Sequence, residues 1–228
     1  MLVKELKEIC KLISTNGLID EFSMTKDGHA TGIDVAKTFM VDLQFNTHLS
    51  EDINISNIKG LDQLLSGFTP ETDVEIVNNK LHMINVINGI KSTKFADMSL
   101  KLYEPLSFNV PNFPITDYKV KVDVSDHNIL NELGKMRPNA LINEDYYLYV
   151  ENNNLIFRVG DEIRVGDVIG IVKDGSENIM LQFKINVAEC FRNICTGVTI
   201  SLIVDKLMLI ESKTDTYTLK YLLAPRVS

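Results

Sequence analysis

The chain has 228 residues, 45% of them hydrophobic, and a formal net charge of -8. That suffices for one large core or two domains of about 110 residues, and the acidic balance excludes a protein that coats nucleic acid over its whole surface, leaving only a local basic face. No apolar run approaches the about 18 to 20 residues that span a bilayer, and Met1-Leu2-Val3-Lys4-Glu5 lacks a signal-like apolar region, so an intracellular protein is expected.

Residues 2 to 14 read as an amphipathic helix, with Leu2, Leu6, Ile9 and Ile13 on one stripe and Lys4, Lys7 and Lys11 on another, offset in part by Glu5 and Glu8. From Gly17 to Thr47 the period changes to two, through Leu18, Asp20, Phe22 and Met24 and again through residues 38 to 45. Lys26-Asp27-Gly28-His29 breaks the run, so these are strands separated by turns. A short helix follows at 56 to 66, then strands at 73 to 78, 81 to 87 and 93 to 102, with Asn78-Asn79 as a tight hairpin.

Three of the six prolines fall inside residues 105 to 114, which makes 104 to 116 an extended connector carrying Leu106, Phe108, Val110 and Phe113. Beyond it come a strand at 118 to 124 and a helix from a Ser125 cap to about Met136, stopped by Arg137-Pro138. Strands at 146 to 151 and 154 to 159 flank Asn152-Asn153, alternating runs cover 163 to 173 and 178 to 184, and the tail from Tyr217 is a strand that ends at Pro225.

The segment from Ile55 to Gly67 returns, ungapped, from Ile185 to Gly197. Apolar residues coincide at 55/185, 58/188, 61/191, 64/194 and 65/195. Each copy opens on a polar residue, Ser56 or Asn186, able to cap free amides, and closes on a glycine suited to a left-handed helix end. Residues 74 to 81 then align with 200 to 207, and 91 to 95 with 212 to 217. Two homologous halves follow, each holding a helix and then a β-meander.

Cys10, Cys190 and Cys195 lack metal-ligand spacing and read as buried, reduced thiols. His29, His48, His82 and His127 are scattered, there is no glycine-rich phosphate loop and no Gly-x-Ser-x-Gly elbow, and Asp161, Glu162 and Asp167 read as turn residues on an acidic surface. No enzyme, no cofactor and no metal site is expected.

This order of elements, the long connector and the ending Leu219-Lys220-Tyr221-Leu222-Leu223-Ala224-Pro225-Arg226 resemble the DNA polymerase sliding clamps, both the proliferating-cell nuclear antigen type and the two-domain clamps of tailed phages. The resemblance covers essentially the whole chain. It implies an α+β fold of two homologous clamp domains, each with two helices packed on antiparallel sheets: residues 1–103, the connector 104–116 and residues 117–228.

The resemblance further implies a homotrimeric ring closed head to tail through edge strands, at 94 to 102 and 163 to 173, around double-stranded DNA bound without sequence readout. Lys4, Lys7, Lys11, Lys59, Lys135, Arg137 and Arg192 are then the DNA-facing cations, a sparse lining shared with Glu5, Glu8, Asp62, Glu132 and Glu189. A groove for short peptides of the polymerase and other clients is expected at Ile33, Lys37, Val110, Phe113, Leu223, Ala224 and Pro225. A DNA polymerase and an ATP-driven clamp loader are the implied partners. A phage clamp would act in the cytoplasm of a bacterial host and a eukaryotic one in the nucleus; the asparagine-rich and lysine-rich turns fit a viral origin. The rival reading, a non-catalytic β-rich protein that assembles rings without threading DNA, fits the repeat and edge strands equally well, and the lysine stripe on the first helix discriminates between the two.

Overall fold

The structure, a computed structural model, describes residues 1–77, 80–87, 90–96, 118, 120–124, 130–131, 133–135, 146–151, 154–159, 162–167, 180–183, 188–194, 197–203 and 207–225. Residues cluster into two compact units, Met1–Val35 with Val41–Asn109, and Ala36–Met40 with Val110–Ser228. The expected connector, the Asn78-Asn79 and Asn152-Asn153 hairpins, the Ser125 cap and Cys195 lie outside the described residues.

The first unit opens with helix α1 (Val3–Ser14). Its apolar residues recur at helical spacing, so Val3, Leu6, Ile9, Cys10, Leu12 and Ile13 are buried together. Fully burying a side chain such as Leu6, Ile9 or Ile13 stabilises the fold by about 1.5 to 3 kcal/mol. Leu2 offers no side-chain cap. The free amides are met instead by backbone carbonyls, Val3 to Thr72 at 2.9 Å and Lys4 to Pro70 at 3.1 Å. The Glu5 carboxylate accepts from the Leu2 amide at 2.7 Å, so the charge expected to dilute the lysine stripe is turned back on its own helix start. Leu2 itself leaves the apolar stripe and forms a β-bridge with Asp73. At the other end Thr15, Asn16 and Gly17 take left-handed conformations and stop the helix.

Next come β1 (Phe22–Met24), β2 (His29–Ile33), β3 (Phe39–Phe45) and β4 (Ile53–Ile55). Their hydrogen-bonded order in this unit is β4-β1-β2-β3. Phe22 and Met24 face Ile55 and Ile53 across the antiparallel β1–β4 pair. The sequence expectation omitted β2 and β4, three to five residues each, because strands that short offer too few alternations for a period to register.

Helix α2 spans Ile58–Leu65. Its cap is Asn57, whose Oδ1 accepts from the Gly60 amide at 2.7 Å, not Ser56, because the helix starts two residues later than the pattern suggested. The left-handed glycine expected at its end is absent: Ser66 caps it at φ -67° in a right-handed conformation, and the Gly67 amide reaches the Leu64 carbonyl at 3.1 Å. The meander β5 (Asp73–Val77), β6 (Lys80–Ile87) and β7 (Ile90–Ala96) follows as a three-stranded antiparallel sheet with β7 at its edge.

The second unit repeats this plan. It contains β8 (Val120–Val124), a helical turn in which residues 130, 131 and 133 are described, and β9 (Tyr146–Glu151), β10 (Asn154–Val159), β11 (Glu162–Asp167) and β12 (Met180–Phe183). Helix α3 (Ala188–Arg192) leads into β13 (Val198–Ile203), β14 (Leu207–Lys213) and β15 (Tyr217–Leu223). The order β12-β9-β10-β11 mirrors β4-β1-β2-β3, with β11 at the edge, and β13-β14-β15 mirrors β5-β6-β7. Even the Leu2–Asp73 bridge has a counterpart, since β8 pairs with β13 as Leu2 pairs with the start of β5. Phe157 on β10 meets Phe191 on α3 edge to face, centroids 5.7 Å apart, which seats that helix on its sheet.

The repeat therefore extends over the full domain plan, well beyond the aligned segments. Copy for copy, Ile58 and Leu61 are buried in the first helix as Ala188 and Phe191 are in the second, whereas Ile194, just past its helix, is buried and its repeat partner Leu64 is half-buried. No described helix is long and apolar enough to cross a membrane.

Candidate functional site

Lys4, Lys7 and Lys11 follow one another at helical spacings of three and four residues, so they share the face of α1 opposite its buried stripe. Lys4 and Lys11 are exposed and Lys7 is half-buried. The Lys7 ammonium donates to Ser66 Oγ at 3.0 Å, and that hydroxyl donates in turn to the Asp62 carbonyl at 2.8 Å. Ser66 stands seven residues, two helical turns, after exposed Lys59. The tie thus brings the lysine face of α1 and the outer face of α2 into one surface, bearing Lys4, Lys7, Lys11 and Lys59 beside Glu8 and Asp62.

The second unit uses its cations differently. Arg192 Nε donates to the Gly134 carbonyl at 2.9 Å, and Nη1 to Glu189 Oε2 at 3.3 Å. Glu189 is only 4% exposed. It occupies the repeat position of Lys59, so one copy exposes a cation where the other buries an anion. Arg192 caps the carbonyl end of the turn at 130–134, where a cation is favoured by the helix dipole. Lys135 is exposed just beyond. Arg137 lies outside the described residues.

The C-terminal tail leaves β15 in contact with the start of β3. Leu223 is fully buried, and the Ala224 amide donates to the Thr38 carbonyl at 2.8 Å. Phe39 and Tyr221 stack at a tilt beside it, centroids 5.5 Å apart. Lys37, preceding Thr38, is exposed and left-handed at φ 58°. Ala224 is exposed and Pro225 half-buried. A short segment thus gathers a basic side chain, an exposed alanine and a proline.

No protein-family model matches the chain, and neither does any curated protein. Solved structures do. The proliferating cellular nuclear antigen from Entamoeba histolytica matches over 100% of this chain and 97% of its own, with a TM-score of 0.73 at 14% identity. The fold is that of a sliding clamp. A second clamp structure, A. fulgidus PCNA with a bound C-terminal region of FEN-1, matches over 100% of this chain and 97% of its own, with a TM-score of 0.65 at 12% identity.

In this clamp fold the expected site residues fall into two sets. Lys4, Lys7, Lys11 and Lys59 come together on the α1–α2 surface. Lys37, Leu223, Ala224 and Pro225 come together at the tail of the second unit, while Ile33 ends β2 in the first, half-buried. Val110 and Phe113 lie outside the described residues. Two features escaped the sequence reading. Val35, in the turn between β2 and β3, is wholly exposed, and its signal was an apolar β-branched residue between Asp34 and Ala36 in a turn. The burial of Glu189 had a fainter signal, the Arg192 three residues on.

The two thiols carry no chemistry of their own. Burial, reinforced by the Asp62 charge, pushes the Cys10 thiol up to about 12. Burial and then the Glu189 charge push the Cys190 thiol up as well. Both stay protonated and unreactive at neutral pH.

Proposed function

We propose that this protein is a DNA sliding clamp, a non-catalytic processivity factor that closes into a homotrimeric ring around duplex DNA and tethers a DNA polymerase and other clients. The observation that carries this reading is the lysine surface on paired helices of a clamp fold. A ring that slides needs cations that meet phosphates without gripping bases, and Lys4, Lys11 and Lys59 suit that because nothing in their spacing reads sequence. Lys7, Lys135, Arg137 and Arg192 are proposed as weaker contributors to the same lining. Head-to-tail closure is assigned to the edge strands β7 and β11, each hydrogen-bonded on one side within its own sheet.

The peptide groove is assigned to Ile33, Lys37, Leu223, Ala224 and Pro225, joined by Val110 and Phe113 of the connector. The FEN-1 segment bound to the A. fulgidus clamp supports a client-peptide role. Affinity per groove is modest, and three grooves on one ring raise the effective concentration of a second client. Opening the ring is left to a separate ATP-driven loader.

The test is mass and topology. Light scattering across a dilution series should give a species near three times the 25.7 kDa chain, and a loaded ring should stay on circular DNA yet run off linear DNA. A trimer retained equally on both, or on neither, would point instead to a ring-forming assembly protein that does not thread DNA. Charge reversal, Lys4→Glu with Lys11→Glu, should abolish polymerase stimulation while the trimer persists.

A further inference from the structure

We infer that Asn16-Gly17, just past the end of α1, is a site of covalent self-modification: the Gly17 nitrogen displaces ammonia from the Asn16 side chain, and water then leaves an isoaspartyl or aspartyl residue, at a rate gated by Ser14. This holds whether or not the protein encircles DNA. The chain has two Asn-Gly pairs, this one and Asn88-Gly89, and the second lies outside the described residues. A Cβ on the residue after an asparagine shields that residue's amide nitrogen, and glycine has none, which makes such asparagines chemically labile.

The turn offers what ring closure needs. Asn16 and Gly17 are both exposed, and nothing lies within 4 Å of where a Gly17 Cβ would stand, so a five-membered imide has room. Thr15, Asn16 and Gly17 take φ of 44°, 58° and 89°. Closing the ring rotates Asn16 out of a conformation that glycine alone holds without strain. The restraint is Ser14. The Gly17 amide donates to the Ser14 carbonyl at 3.0 Å and to Ser14 Oγ at 2.9 Å, and the attacking nitrogen must leave both acceptors first.

Hydroxide takes the Gly17 amide proton, the nitrogen bonds to Asn16 Cγ, and the Cγ–Nδ2 bond breaks as Nδ2 takes a proton from water and departs as ammonia. Water then opens the imide. Breaking the new N–Cγ bond gives aspartyl, and breaking the bond to the Asn16 main-chain carbonyl gives isoaspartyl, with one more carbon in the backbone. Either product sets a carboxylate beyond the carbonyl end of α1, where the helix dipole disfavours an anion. The longer backbone also disturbs the link to buried Ile19, whose amide donates to the Ser14 carbonyl at 3.1 Å.

The experiment holds the folded, full-length protein in mildly alkaline buffer and follows ammonia release, thermal midpoint and tryptic fragments. Fragment 12–26 has Asn16 as its sole asparagine, so labelling of that fragment by an isoaspartyl methyltransferase reports this site. Label should accumulate faster as pH rises while the midpoint falls. Asn16→Gln should abolish it, because glutamine would have to close a six-membered ring. Ser14→Ala removes one of the two acceptors and should speed labelling roughly five-fold. An unlabelled 12–26 fragment from the folded protein would overturn the site, whether fragment 81–91 with Asn88-Gly89 is modified or 12–26 itself is labelled in urea. Labelling of Ser14→Ala at the unaltered rate would overturn the gate.

Discussion

The Ala224 amide hydrogen-bonds the Thr38 carbonyl at 2.8 Å, which fixes the chain's last described residues against the turn that carries Lys37. Replacing Ala224 by proline removes the donor of this hydrogen bond. The expected loss is about 1 kcal/mol of stability, read as a lower urea midpoint. Affinity for a peptide in the proposed groove, followed by calorimetry, should fall by more than it does on Asp215→Pro, an exposed position in the turn between β14 and β15.

Helix α2 offers a direct test of which residue starts it. Asn57→Ala should cost about 1 kcal/mol, since its side chain holds the Gly60 amide. Ser56→Ala should cost a few tenths at most, as expected for a surface position away from such a feature. Thermal unfolding of the two variants side by side would reverse this assignment if Ser56→Ala proved the worse.

Two left-handed glycines should respond differently to an added methyl group. At Gly28, φ 82°, a Cβ would fall inside contact distance of the Phe45 carbonyl oxygen and 2.9 Å from that of Thr47. Strain and clash together make Gly28→Ala cost about 3 kcal/mol. At Gly17, φ 89°, nothing lies within 4 Å, so Gly17→Ala should cost about 1 kcal/mol from the backbone alone. Denaturant unfolding of both variants checks the ranking.

Cys10 makes stability fall in alkaline solution. Its thiol is raised from 9.0 to about 12 by burial, so the unfolded chain loses this proton first. Stability is intact below pH 9 and declines as pH rises toward 12. The decline is about 1.4 kcal/mol per pH unit within that window. Cys10→Ala should be less stable at pH about 8 because a buried sulfur is lost, yet should lose less between pH about 8 and about 10 than the unaltered protein, by about 1.4 kcal/mol. Urea unfolding at the two pH values measures the difference.

The order of residues alone makes legible the duplication, the α+β class and the strands at 146–151 and 154–159, where alternation runs long enough to register. It also determined the lysine stripe of α1, because spacings of three and four residues put Lys4, Lys7 and Lys11 on one face whatever the helix packs against. It did not determine the use of each charge. Glu5 turns to cap its own helix, Lys7 binds a serine 59 residues away, and Arg192 and Glu189 close on each other against Gly134. Those outcomes depend on which backbone groups the fold leaves unsatisfied and which side chains it removes from water. Such quantities exist only once distant segments have packed, which is why tertiary structure alone decided them.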